Sequence, residues 1–133
     1  MQEGDNVDRK VVYTKGAPKP VGAFSQAVIA GSILSISGQV PIDPESGRMV
    51  EGDARAQTER VMRNIGEILK AAGLDYADLV KVRIYTTDLS LFSEINDVYS
   101  QYFEEEPPAR VFVEVSALPL GALVEIEAEA YLG

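Results

Sequence analysis

Arg110 is the only cation in the chain after Arg83, and ten acidic residues share the stretch from Ile84 to the end with it. Two β-rich runs lie there, over 110–116 and 123–131. Period-two alternation sets Arg110, Phe112 and Glu114 opposite Val111, Val113 and Val115. In the second run it sets Glu125, Glu127 and Glu129 opposite Val124, Ile126 and Ala128. With the valine and alanine sides turned to a core, Arg110 and the glutamates are expected to share the other side. Two readings of that side stay open. Arg110 is either a structural counterion for solvated glutamates, or an anion-binding arginine beside a carboxylate able to orient water. The chain has no Cys and no His, which excludes thiolate nucleophiles, imidazole bases, Ser-His-Asp triads, disulfides and ordinary zinc sites. Any chemistry must run on arginine, lysine, carboxylates, hydroxyls, backbone amides and water.

The elements that must position these groups follow from the rest of the chain. A length of 133 residues, 46% of them hydrophobic, suits a single domain. Residues 1–10 read as a flexible polar tail and 11–133 as the folded unit. Val11 to Thr14 is a short β-rich run, and Ala27–Ala30 and Ile33–Ser37 flank Gly31-Ser32, a hairpin spacing. Asp53 is a good N-cap for a helix whose apolar positions Val61, Ile65, Ile68 and Leu69 recur at helical spacing until Gly73 stops it. Leu79 to Thr86 alternates, with Val80, Val82 and Ile84 on one face and Lys81, Arg83 and Tyr85 on the other. A second helix, capped by Asp88 or Ser90, carries Phe92, Ile95, Val98 and Tyr99 and ends before Pro107-Pro108. The predicted class is α+β, a single sheet with two helices packed on one face. So few helices leave the second face for another subunit to cover.

Charge limits the partners. A net charge of -9 repels polyanions, so neither nucleic acid nor an anionic membrane is expected to bind. The uncharged stretch from Pro20 to Ile42 is interrupted by Gly, Ser, Gln and Pro and reads as strands rather than a membrane span. The polar, acidic start lacks the charged-then-apolar pattern of a secretory leader, and a cytoplasmic location is expected. The acids around Asp43 and Glu45 lack calcium-loop spacing, so no metal is expected.

Several segments together resemble one family. Val21-Gly22-Ala23-Phe24-Ser25-Gln26-Ala27, Ser37-Gly38-Gln39-Val40-Pro41, Pro108-Ala109-Arg110-Val111-Phe112-Val113-Glu114-Val115 and Val124-Glu125-Ile126-Glu127-Ala128 are similar to the RidA (YjgF) reactive intermediate/imine deaminases. The resemblance spans Val11 to Leu132. It implies a chorismate-mutase-like fold and a homotrimer with sites in the clefts between subunits. It also implies 2-iminobutanoate/2-iminopropanoate deaminase activity: hydrolysis of 2-imino or 2-enamino acids to 2-keto acids and ammonia, without a cofactor. On that resemblance Arg110 holds the substrate carboxylate and Glu125 orients the attacking water. Gly38 and Phe112 line the pocket through their backbones, with Phe24 and Ser37 as further substrate-binding candidates. Asn96 also matches a family position, but a local capping amide is the preferred reading. Two departures stand out: Phe24 where many members have Tyr, and Phe112 where many have Cys. The alternatives are a trimeric small-carboxylate-binding or regulatory protein and, disfavoured by charge and the lack of His, a ribonuclease or translation inhibitor.

Overall fold

The computed structural model describes residues 9–133. Its strands are β1 (Arg9–Val12), β2 (Ala27–Ala30), β3 (Ile33–Gln39), β4 (Ile42–Asp43), β5 (Arg48–Met49), β6 (Leu79–Thr86), β7 (Ala109–Glu114) and β8 (Val124–Tyr131). The helices are α1 (Ala54–Ala71) and α2 (Phe92–Ser100). Six strands form one sheet in the order β1-β2-β3-β8-β6-β7, and β4 and β5 make a separate small ribbon. Strand β1 opens at Arg9, ahead of the expected start at Val11, so Arg9 and Lys10 belong to the sheet. The remainder of the expected tail lies outside the described residues.

Local chemistry accounts for the order. Gly31 takes a φ of 60° in the β2–β3 turn, a conformation that costs a side chain but not glycine. Strands β6 and β7 are parallel, which no tight turn can achieve, so the chain crosses over through α2. The other pairs in the large sheet are antiparallel. Asp53 accepts a hydrogen bond from the Ala56 amide at 3.1 Å to cap α1, and Gly73, at φ 79°, ends that turn of the chain. Val61, Ile65, Ile68 and Leu69 of α1 are buried with Ile95, Val98 and Tyr99 of α2, against Val82, Ile84, Val124 and Ile126 of the sheet. Both helices therefore lie on one face, as the periodicities predict. No described helix is long and apolar enough to cross a membrane.

Two bulges adjust the pleat. Between Leu79 and Lys81 the pairing of β6 with β8 slips by one residue. Leu79 is consequently buried and Val80 is 45% exposed, which corrects the expected inward face at Val80. In β3 the slip falls between Ile36 and Gln39, at Ser37 and Gly38.

Candidate active site

Strand β7 pairs with β6 so that Val82 lies beside Arg110, Ile84 beside Phe112 and Thr86 beside Glu114. Val82, Ile84 and Thr86 face the helices, so Arg110, Phe112 and Glu114 do too. Val111 and Val113, each 39% exposed, turn to the bare face, where Glu125, Glu127 and Glu129 stand. The expectation that Arg110 shares a side with the glutamates is therefore overturned. The cause is that β7 is an edge strand whose inner side is met by the aromatic residues of α2 rather than by the centre of the core. The counterion of the acidic face is Arg83, whose guanidinium lies 3.5 Å from Glu127 and 3.4 Å from Glu129. Tyr85 donates to Glu127 at 2.5 Å. Arg110 is not that counterion.

Arg110 has its own setting. Its guanidinium carbon lies 5.7, 5.2 and 5.5 Å from the ring centres of Phe92, Tyr99 and Phe112. Phe92 and Phe112 pack on each other with centres 4.8 Å apart. The guanidinium donates to the Asn96 side-chain oxygen at 2.6 Å. Three aromatic faces and one amide thus hold an exposed cation in place without neutralising it. Asn96 is a partner of Arg110 and no capping residue, which corrects the local reading. The signal lay in its spacing: Phe92, Asn96 and Tyr99 fall on one helical stripe. A cleft of about 340 Å³ opens here, between Asn96, Tyr99, Pro108 and Arg110.

Glu125 lies in a different cleft, of about 480 Å³, with Gly38, Phe24, Val21, Val40 and Leu120 on its walls. The β3 bulge makes room for it: a methyl group on Gly38 would run into the Glu125 carboxylate. Among the described residues Glu125 forms no ion pair. Burial, and then the charge of Glu127, hold its carboxyl above the usual glutamate value. A carboxylate raised in this way is a better proton acceptor than an ordinary surface glutamate.

Buried amides that sequence reasoning left without a role shape this cleft. Gln26 accepts from the Thr14 amide at 2.7 Å and donates to the carbonyls of Thr14 at 2.9 Å, Ala17 at 3.2 Å and Pro18 at 2.9 Å. Asn64 donates to the carbonyls of Val40 and Ile42 at 3.3 and 3.0 Å. Gln57 accepts from the Leu123 amide at 2.8 Å, and Thr86 donates to the Leu123 carbonyl at 2.8 Å, fixing the entry to β8 just before Glu125. The Ser37 hydroxyl donates to the Ser25 carbonyl at 2.5 Å, tying the loop that carries Phe24 to β3. The structure thus brings Glu125, Gly38 and Phe24 together, joins Phe112 to Arg110, and sets the two groups on opposite faces.

Comparison with known proteins agrees with this architecture. The family model described as endoribonuclease L-PSP matches residues 14–132. A RutC family protein of Pyrococcus horikoshii is 51% identical over 92% of this chain and 98% of its own length. The 2-iminobutanoate/2-iminopropanoate deaminase of Bos taurus is 46% identical over 94% of this chain and 91% of its own. Among solved structures, RidA from an Antarctic Psychrobacter superposes with a TM-score of 0.88 at 44% identity, covering 92% of this chain and 98% of that one. From its sheet order to its matched length, the chain belongs to the endoribonuclease L-PSP family, the family of the RidA (YjgF) proteins.

Proposed function

We propose that the chain is a hydrolytic deaminase of 2-imino acids, acting as a homotrimer in which Arg110 of one copy meets Glu125 of the next. One observation carries the reading: the two groups best suited to the chemistry lie in separate clefts on opposite faces of one sheet. The Arg110 cleft is lined by no carboxylate, and the cation lining the Glu125 cleft is Lys19, which lacks the bidentate fork of an arginine. A second copy laid on the bare face supplies the missing half and covers Val111 and Val113. The similarity to deaminases at 41–46% identity supports the reaction class.

The reaction asks for positioning more than for reactive groups. Arg110, pre-set by its rings and by Asn96, takes the substrate carboxylate in a bidentate fork. Water adds to C2 of the iminium while Glu125 accepts its proton, giving a carbinolamine. Glu125 then returns that proton to the nitrogen and accepts the carbinolamine hydroxyl proton as the carbon–nitrogen bond breaks, releasing ammonia and the 2-keto acid. Every atom is accounted for by imine and water, and no cofactor is called for.

Complementation tests both the assignments and the shared site. Arg110→Ala is expected to lose carboxylate binding and rate, and Glu125→Gln to lose rate while still binding a 2-keto acid. Co-refolded, the two inactive variants should regain activity wherever the Glu125→Gln copy supplies arginine and the Arg110→Ala copy supplies glutamate. That is about one pairing in four for random mixing. Absence of recovery in verified mixed trimers would overturn the shared site, and full hydrolysis by Glu125→Gln would overturn its role with water.

A further inference from the structure

We infer that the Phe112 side chain, packed on Phe92, is a positioning residue for Arg110: it keeps the guanidinium beside Asn96 and apart from Glu114, leaving the cation free for the substrate carboxylate. The inference rests on the proposed reaction and gives the side chain of Phe112 a role beside the backbone role that the resemblance implies.

Arg110, Phe112 and Glu114 are successive inward residues of β7, and each meets a different point of the segment that leads into α2 and through its first turns. The Arg110 guanidinium donates to Asn96 at 2.6 Å, the Phe112 ring centre lies 4.8 Å from that of Phe92, and the Leu89 amide donates to the Glu114 carboxylate at 2.8 Å. Leu89, Phe92 and Asn96 are three and four residues apart, the spacing of one helical side, so strand and helix are locked in register at three points. All three contacts lie within one chain, which makes them independent of how copies assemble.

Glu114 is the acid on the same strand face that would otherwise compete for Arg110. Four residues of strand separate the two by about 13 Å, and long side chains leaning toward each other along a strand close much of that gap. Phe112 stands between them, its ring centre 5.5 Å from the guanidinium carbon. Among the described residues Arg110 forms no ion pair, and its side chain donates to a neutral amide. An ion pair with Glu114 would have to break before a substrate carboxylate could bind, whereas ring faces hold a cation without supplying an anion. A guanidinium ordered beforehand also pays less to close its fork on a carboxylate.

A double-mutant cycle on the assembled protein reads this role: Phe112→Ala, Glu114→Gln and the two together, each titrated calorimetrically with 2-oxobutanoate and assayed on the matching imine. Glutamine keeps an acceptor for the Leu89 amide and removes only the charge. Phe112→Ala should weaken 2-oxobutanoate binding at least about fivefold, with the loss falling on KM rather than kcat. Glu114→Gln should change the parent by less than about twofold yet recover most of the loss in Phe112→Ala. Phe112→Tyr, which keeps a ring, should bind like the parent. Circular dichroism and melting confirm the fold; should Phe112→Ala fail to assemble, Phe112→Leu enters the same cycle, with a smaller loss and the same sign of coupling. Undiminished affinity in the folded Phe112 variant, or a Glu114→Gln effect equal in both backgrounds, overturns the inference. The expected coupling without hydrolysis above the spontaneous rate would defeat the deaminase reading and leave the positioning role standing. Imine hydrolysis by the parent with no coupling would do the reverse, and failure of the parent to bind 2-oxobutanoate would defeat both.

Discussion

At the scale of single residues, Arg110 and Glu125 are prepared in opposite ways. Arg110 is exposed and held by rings and an amide, so its charge stays available to an anion. Glu125 is half-buried and unpaired, so its charge is disfavoured by burial and by Glu127. A carboxyl raised in the folded state contributes stability below its unfolded value, and that contribution is lost as pH rises through the folded one. Ionised Glu125 therefore destabilises the fold at neutral and alkaline pH. Glu125→Gln should melt higher than the parent at pH 8, with the gain gone by about pH 3, below the unfolded glutamate value, where both states carry a protonated carboxyl. Thermal melts at the two pH values check it, and a variant that melts lower than the parent at pH 8 would contradict the desolvated setting.

At the scale of elements, the β3 bulge links the backbone to the chemistry. The extra residue at Ser37-Gly38 shifts the register between Ile36 and Gln39, and the bare Cα of Gly38 receives the Glu125 carboxylate. Gly38 has an ordinary negative φ, so alanine fits its backbone and only the glutamate tip must move. Gly38→Ala should thus keep its denaturation midpoint, within about 0.5 kcal/mol of stability, yet lose most imine hydrolysis. Urea unfolding together with steady-state assay separates the two effects. Equal loss of stability and activity would instead make the bulge a matter of folding alone. Helix α2 has a comparable double role, since Ile95 and Tyr99 anchor it in the core while Phe92 and Asn96 of the same helix receive Arg110.

At the scale of the whole molecule, one bare sheet face remains to be explained. It carries Val111 and Val113 beside an ionic network of Arg83, Glu127 and Glu129, a mixture of apolar contact and directional polar groups suited to a specific homomeric interface. The trimer proposal predicts a single trimeric species in sedimentation equilibrium at micromolar concentration. Val113→Asp, which adds a charge to an already acidic face, should dissociate it and abolish hydrolysis while the far-ultraviolet circular dichroism stays unchanged. A monomeric parent, or a Val113→Asp trimer that retains activity, would refute the arrangement.

Much of this was legible in the order of residues. Helical spacing from Val61 to Leu69, the Asp53 cap, the Gly31-Ser32 turn and the isolation of Arg110 among acids are short-range patterns that local physics reads directly. The sequence also determined which residues share a strand face, because alternation is a property of the strand itself. It did not determine which way β7 turns. Three valines at Val111, Val113 and Val115 look inward by hydrophobicity alone. Only the tertiary structure, through the register of Val82 beside Arg110 and the aromatic stripe of α2, turned Arg110 to the helices and left two of those valines on the open face. Facing is a long-range property: it depends on what another segment brings to the edge of the sheet, and that segment is distant in the chain.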